Sequence, residues 1–233
     1  MTDYHVHIGQ YEEDYHFAFD VFSALKQKGF SECWYSSTTS CIYCKESLAA
    51  KTDKEIFDDA PSAQELYESL IEELYDSQKA ANEISIIVHS LYWVVPEIVM
   101  AGIKIEKTMK ENPYEGFKIH TRAQNWDLSQ PEIMKIAENV FEYADLKKLR
   151  ILIHTGVDEI DNPKKFEHLI KKYPNAKIQL AHCKDLDAID YMLKTYSNVC
   201  VDTSASNRKI VELLTEKHGT ERIIFGSDFP ILK

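Results

Sequence analysis

Arg150-Ile151-Leu152-Ile153-His154-Thr155-Gly156 is a short apolar run that closes on a histidine and then on a turn. Apolar runs of this length, bounded by turn residues, read as buried strands. The form recurs upstream in Gly116-Phe117-Lys118-Ile119-His120 and downstream in Lys177 to His182, Val199 to Asp202 and Arg222 to Phe225, the last followed by Gly226-Ser227-Asp228. Helical spacing separates these runs over Pro131 to Lys147, Pro163 to Tyr173, Asp187 to Thr195 and Arg208 to His218.

The first half carries the same alternation less regularly. Tyr4 to Ile8, Ser31 to Ser36 and Ile84 to Tyr92 read as strands. A helix is expected over Phe17 to Lys28, with Ala18, Phe19, Phe22 and Leu25 on its apolar side and Gly29 closing it. A second, capped by Ser62, covers Ala63 to Asn82 and buries Leu66, Leu70, Ile71 and Leu74. A third starts at Pro96 and runs to about Lys110, where Asn112-Pro113 ends it. Ser37 to Pro61 reads as a long loop over one end of the fold.

Eight strands alternating with helices predict an α/β protein, a (β/α)8 TIM barrel forming a single domain over residues 1–233. A doubly wound sheet is the alternative, and the strand number favours the barrel. Lys233 follows Asp228 by five residues, so the barrel is expected to be slightly truncated, lacking the helix after strand 8. Apolar surface left on strands one and eight then leads to an expected homodimer.

With 38 acidic against 27 basic residues and a formal charge of −11, the chain lacks the clustered cations that nucleic acid would require. The start Met1-Thr2-Asp3 gives no indication of a secretory leader, so none is expected, and the most apolar stretch, Leu91 to Ile103, is interrupted by Pro96 and Glu97 and too short to span a bilayer. A cytoplasmic protein with a small-molecule substrate, and neither nucleic acid nor membrane as partner, is expected. The five cysteines fit a reducing compartment, and Cys41-Ile42-Tyr43-Cys44 has the spacing of half a zinc site without a second half.

His5 and His7 are spaced i, i+2, which on a strand points both imidazoles to one face. His154, His182 and Asp228 each close a later strand-like run, so a barrel would gather all five at the carboxyl ends of its strands, where such folds hold their active sites. That convergence predicts a metal-dependent enzyme. Lys118 and His120 share strand parity and point the same way, whereas His16, His89, His168 and His218 have no partners at matching positions and read as structural. Asp202 is expected to cap the turn through Thr203 and Ser204, and Arg122 and Arg208 are candidate anion anchors. Trp34, Trp93 and Trp126 read as core or rim, with an aromatic wall around a planar substrate as the sharper alternative.

Asp3-x-His5-x-His7, Gly116-Phe117-Lys118-Ile119-His120, Ile153-His154-x-Gly156, Ala181-His182, Asp202-Thr203-Ser204 and Gly226-Ser227-Asp228-Phe229-Pro230 together resemble the amidohydrolase superfamily in its family 2 branch. The likeness implies one or two divalent ions, Zn²⁺ first and Mn²⁺ as alternative, bound by His5, His7, His154 and Asp228. It further implies that His182 binds a second ion or acts in acid/base and carbonyl-polarising roles. Lys118 either bridges two ions as a carbamate or, unmodified, grips a substrate carboxylate beside His120 and Arg122. The implied activity is a hydrolase in which a metal-activated water attacks a C–N or C–O bond of a small, carboxylated or cyclic compound, with Asp228 and His182 catalytic. The alternative is a non-oxidative decarboxylase of the aminocarboxymuconate-semialdehyde decarboxylase type, and a third reading is a metal-binding barrel without catalysis. Departures from the family pattern at Thr121 and Cys183-Lys184 place the substrate contacts in the loops outside the resemblance.

Overall fold

The computed structural model describes residues 1–42 and 60–232. Its strands are β1 (Thr2–Tyr11), β2 (Asp14–His16), β3 (Glu32–Ser37), β4 (Ile87–Trp93), β5 (Gly116–Ile119), β6 (Arg150–His154), β7 (Lys177–Ala181), β8 (Val199–Asp202) and β9 (Ile223–Ile224). The helices are α1 (Ala18–Gln27), α2 (Ala63–Ile84), α3 (Pro96–Met100), α4 (Ile105–Glu111), α5 (Pro131–Lys147), α6 (Glu167–Lys172), α7 (Leu186–Thr195) and α8 (Arg208–His218). The strands form one curled sheet in the order β2-β1-β3-β4-β5-β6-β7-β8-β9. All neighbours are parallel except the β1–β2 hairpin. The curl draws the ends together: Tyr4 N–H donates to the Phe225 carbonyl (2.9 Å), Asp228 N–H to His5 (2.8 Å) and His7 N–H to Phe229 (2.8 Å). The fold is therefore mixed α/β with TIM-like character.

Strand parity decides what faces where. On β5 to β8, Phe117, Ile119, Ile151, Ile153, Ile178, Leu180, Val199 and Val201 pack outward into the main core with Val140, Phe141, Phe166, Ile189 and Met192 from the helical layer. On β1 and β3, Val6, Ile8, Cys33 and Tyr35 do the same against Phe22, Leu25 and Ala81. The residues between them, His5, His7, Lys118, Gln179 and Asp202, are buried on the opposite, inner face, because a strand turns successive side chains to opposite sides. The apolar filling inside is small: Leu91, Leu152, Ala181 and part of Trp34.

Several local expectations are corrected. Residues after Gly9 continue β1 and turn back as β2, a hairpin that the alternation does not announce. The helix expected from Pro96 breaks into α3 and α4, because Gly102 adopts φ +99°, left-handed backbone that no helix continues through. In α1 it is Val21, not Phe19, that joins Phe22 and Leu25 in the core; Phe19 is 46% exposed, and Ile71 on α2 is only half-buried. The segment expected to be helical from Pro163 opens with a 3-10 turn, Pro163–Phe166, before α6. Within the expected loop after β3, Thr38–Cys41 forms a 3-10 turn; Cys44 lies outside the described residues. The start of α2 is as expected: Ser62 Oγ accepts from Glu65 N–H (3.3 Å) while Glu65 Oε2 accepts from Ser62 N–H (2.9 Å).

Gly116 is a point of close approach in the middle of the site-bearing sheet. It pairs with Leu91 on β4 and Arg150 on β6, and an added Cβ would stand 2.6 Å from the Arg150 carbonyl oxygen and 2.8 Å from Leu91. Gly116→Ala is expected to cost at least about 2 kcal/mol and to shift Lys118, whereas Ser62→Ala costs about 1 kcal/mol and leaves the interior unchanged. Thermal unfolding of both variants checks this, and equal losses would contradict it.

Candidate metal centre

At the carboxyl end of the curled sheet a cavity of about 200 Å³ is lined by His7, Lys118, His120, His154, His182 and Asp228, together with Tyr11, Cys41, Trp93 and Lys184. His5 lies just beneath, 1% exposed. Three donor atoms meet there: His5 Nε2 to His7 Nε2 is 3.2 Å, His7 Nε2 to Asp228 Oδ1 is 2.9 Å, and His5 Nε2 to Asp228 Oδ1 is 3.4 Å. Lys118 Nζ stands 3.0 Å from His5 Nε2. Asp228 reaches this point through left-handed backbone (φ +59°), and His182 does likewise (φ +64°). Non-glycine residues hold such angles where surrounding structure imposes them, and they cluster at functional sites.

The proton inventory shows what the three atoms need. His7 Nδ1 faces the Ser36 carbonyl at 3.3 Å and the Ser36 hydroxyl at 3.2 Å, and both can accept from Nδ1–H, the tautomer that leaves Nε2 free for a cation. His5 Nδ1 faces the Asp202 carboxylate at 3.1 Å, which again demands a proton there. In these tautomers both Nε2 atoms present lone pairs to each other and to a carboxylate oxygen. Such an arrangement calls for positive charge beside it, which Lys118 Nζ offers to His5 and a divalent ion would offer to all three atoms. Donors bound at about 2.0–2.1 Å to a tetrahedral Zn²⁺ stand roughly 3.3 Å apart, the spacing found here. The residues fit a divalent ion.

The electrostatics agree. Burial, reinforced by Lys118, lowers the His5 pKa to about 4. Burial works to raise the Asp228 carboxyl, but the contact with His7 and the neighbouring His5 and Lys118 outweigh it and hold it below the usual carboxylate range. Burial pushes Lys118 down to about 8 despite Asp228 and Asp202. His154, His182 and His120 are each held low, chiefly by burial.

His154 does not join the tight group. Its Nδ1 lies 3.2 Å from His182 Nε2, and its ring stacks on His120 at 3.9 Å, which in turn stacks on Trp93 at 5.4 Å. His120 Nδ1 accepts from Ala123 N–H (3.1 Å), so its proton is on Nε2. Trp93 is fixed by Gln124, whose Oε1 accepts from Trp93 Nε1 (2.8 Å) and whose amide donates to the Ser40 carbonyl (2.8 Å). The aromatic wall thus exists with Trp93; Trp126 is in the outer core, and Trp34 stacks on His89 at 4.5 Å, away from the cavity. His89 itself sits between Glu32 and Glu115.

Arg122 is not a free anion anchor. Its Nε reaches Asp161 (3.1 Å), its Nη2 reaches Asp161 (2.6 Å) and Asp158, and Thr121 Oγ1 also donates to Asp161 (3.1 Å). The guanidinium clips the loop after β5 to the loop after β6. Lys184, exposed and lining the cavity, occupies the place at the mouth that Arg122 was expected to take. The positioning residues that sequence reasoning passed over are Asp3, Ser36, Ser204 and the second role of Asp202. Asp3 Oδ1 accepts from His5 N–H (3.1 Å) and Ser227 N–H (3.0 Å), joining the first strand to the loop before Asp228. The Asp-x-His-x-His string was the only signal for it.

A family model for amidohydrolases, the family 2 branch, matches residues 87–233, which is more than half of the chain. The chain belongs to amidohydrolase family 2. No curated protein matches its sequence. Among solved structures it is similar to a crystal structure of an amidohydrolase II, at 15% identity and a TM-score of 0.60, covering 98% of this chain and 87% of the other, a likeness of fold.

Arg122→Met is expected to lower stability by about 1–3 kcal/mol, because it leaves the buried Asp161 carboxylate without its cation, and to leave Zn²⁺ binding unchanged. A change in Zn²⁺ affinity greater than threefold, read by competition with a chromophoric chelator, would return Arg122 to the site.

Proposed function

We propose that this chain is a metal-dependent hydrolase that holds one divalent ion, Zn²⁺ before Mn²⁺, between His5, His7 and Asp228, with His154 and His182 facing the same cavity. The observation that carries the reading is the convergence of three metal-capable donor atoms 2.9–3.4 Å apart. Family membership supports metal-dependent chemistry of the hydrolase or lyase type. When bound, the ion supplies a Lewis acid that brings the pKa of a water to about 7.

The protein's own groups do the rest. Asp228, held ionised, takes the proton of the attacking water and returns it to the leaving nitrogen or oxygen. His182 keeps its proton on Nδ1 and offers Nε2 as a base; once protonated it donates to the oxygen on which charge develops. Trp93, His120 and His154 form a stacked wall for a small planar or cyclic compound, and Lys118 and Lys184 offer cations for a carboxylate. These same lysines favour the decarboxylase as second reading, in which the substrate carboxylate leaves as CO₂ and carbon is protonated.

The same reading takes the fold as one (β/α)8 barrel domain and the protein as a cytoplasmic enzyme acting on a small molecule, in keeping with the free thiols of Cys33, Cys41, Cys183 and Cys200. No described helix is long and apolar enough to cross a membrane. A homodimer is supported by Phe17, Phe19 and Phe225, which are 60%, 46% and 48% exposed. A monodisperse monomer in size-exclusion chromatography would count against it.

Elemental analysis of the purified chain is expected to find about one Zn²⁺ per chain, and His7→Ala and Asp228→Asn to lose the ion together with at least about 10³-fold in turnover. Release of ammonia, an amine or a ring-opened acid from a panel of carboxylated and cyclic substrates supports the hydrolase; CO₂ supports the decarboxylase. A wild-type chain that takes up no divalent ion would overturn both.

A further inference from the structure

A second convergence, of His5, His182 and Asp202, lies on the far side of the His5 ring from His7 and Asp228. We propose that it is not a second cation site but a positioning network: the buried carboxylate of Asp202, extended by the hydroxyl of Ser204, holds the ring protons of both His5 and His182 on Nδ1 and so turns both Nε2 atoms toward the cavity. The inference rests on the reading of His5 as a metal ligand and His182 as an acid/base group, and gives both one common orienting residue.

Counting protons leaves one consistent assignment. Asp202 is fully buried, and everything that touches its carboxylate is a donor: Ser204 N–H (3.1 Å), the Ser204 hydroxyl and His182 N–H (3.3 Å) on Oδ1, and Gln179 Nε2 (2.8 Å) and His5 Nδ1 (3.1 Å) on Oδ2. Ser204 has a single hydroxyl proton, and Asp202 takes it. Toward the rings, Ser204 Oγ is therefore an acceptor, at 2.8 Å from His182 Nδ1 and 3.2 Å from His5 Nδ1. The Ser204 carbonyl, 3.3 Å from His182 Nδ1, can also only accept. Both Nδ1 atoms that a cation would need are thus occupied by protons.

The network reaches past the site. Gln179 Oε1 accepts from Arg150 Nη1 (2.7 Å), and that guanidinium lies over Tyr4 and Trp34 at 4.9 and 4.8 Å. A cation thereby faces the buried carboxylate through one amide. Orienting contacts of this kind typically alter metal affinity by about 10–100-fold when removed.

Two measurements on Asp202→Asn and Ser204→Ala test the proposal: ¹⁵N NMR of the imidazole nitrogens in metal-free protein, which distinguishes the two ring tautomers, and Zn²⁺ affinity by chelator competition. In the wild type, His5 and His182 are expected as Nδ1–H tautomers. An Asn amide must turn its NH₂ toward one of the two sets of donors, so Asp202→Asn is expected to shift at least one ring toward Nε2–H and to weaken Zn²⁺ binding about 10–100-fold. Ser204→Ala is expected to move the His182 nitrogen shifts, leave His5 in place, and weaken Zn²⁺ less than tenfold. A merely structural role would lower the melting temperature and leave the ring nitrogens alone. Folded Asp202→Asn with both tautomers and the Zn²⁺ affinity unchanged overturns the proposal, and if that variant does not fold, unmoved His182 shifts in Ser204→Ala do so. If the wild type binds no Zn²⁺, the metal reading fails, and the tautomer arm alone still decides this one.

Discussion

Two imidazole nitrogens and a carboxylate oxygen face one another inside the curled sheet, within 2.9–3.4 Å of each other. The outer nitrogen of each ring has a proton acceptor beside it, the Ser36 carbonyl and hydroxyl for His7 and Asp202 for His5, so both inner nitrogens can turn lone pairs to a cation. Lys118, the nearest cation in the cluster, approaches His5 alone at 3.0 Å. Burying like-polar atoms together is costly unless opposite charge sits among them. The rest of the chain supplies the rigidity that keeps those atoms where a divalent ion would reward them.

That rigidity comes from the other face of the sheet. Phe117, Ile151, Ile178 and Val199 and their strand neighbours bury their side chains outward against the helices, and because parity is strict, every residue between them is driven inward. The inner face then accumulates polar groups that would be a liability in an ordinary barrel interior: Lys118, Gln179, Asp202 and Asp3 are all 1% exposed or less. They are tolerated because nearly every one is tied to another, Asp202 to five donors and Gln179 to Arg150 and the Tyr4 carbonyl. Asp3 closes the ring of constraints by gripping the backbone on both sides of the seam between β1 and Asp228.

Much of this was legible beforehand. The apolar runs located the eight parallel strands among the described residues, and Asp3-x-His5-x-His7 with the later His and Asp at strand ends pointed to the family and to a common mouth. Less regular features were missed for local reasons. The β1–β2 hairpin lacks a sharp turn signal, Gly102 splits a helix whose apolar spacing runs across it, and Phe19 loses its place in the core to Val21. Arg122 carries the right charge at the right strand end, yet Asp158 and Asp161, nearly forty residues away, take it up.

Alternation of two periods along the chain determined the strands, the helices and which side of each strand is polar, because parity is a property of the backbone and needs no partner. The distances among His5, His7 and Asp228, the exclusion of His154 from that group and the joint hold of Asp202 on two rings were decided only by the curl of the sheet. A single sequence carries no record of which inward side chains meet across such a curl; that depends on register and on left-handed backbone at His182 and Asp228, both set by contacts between residues far apart in the chain.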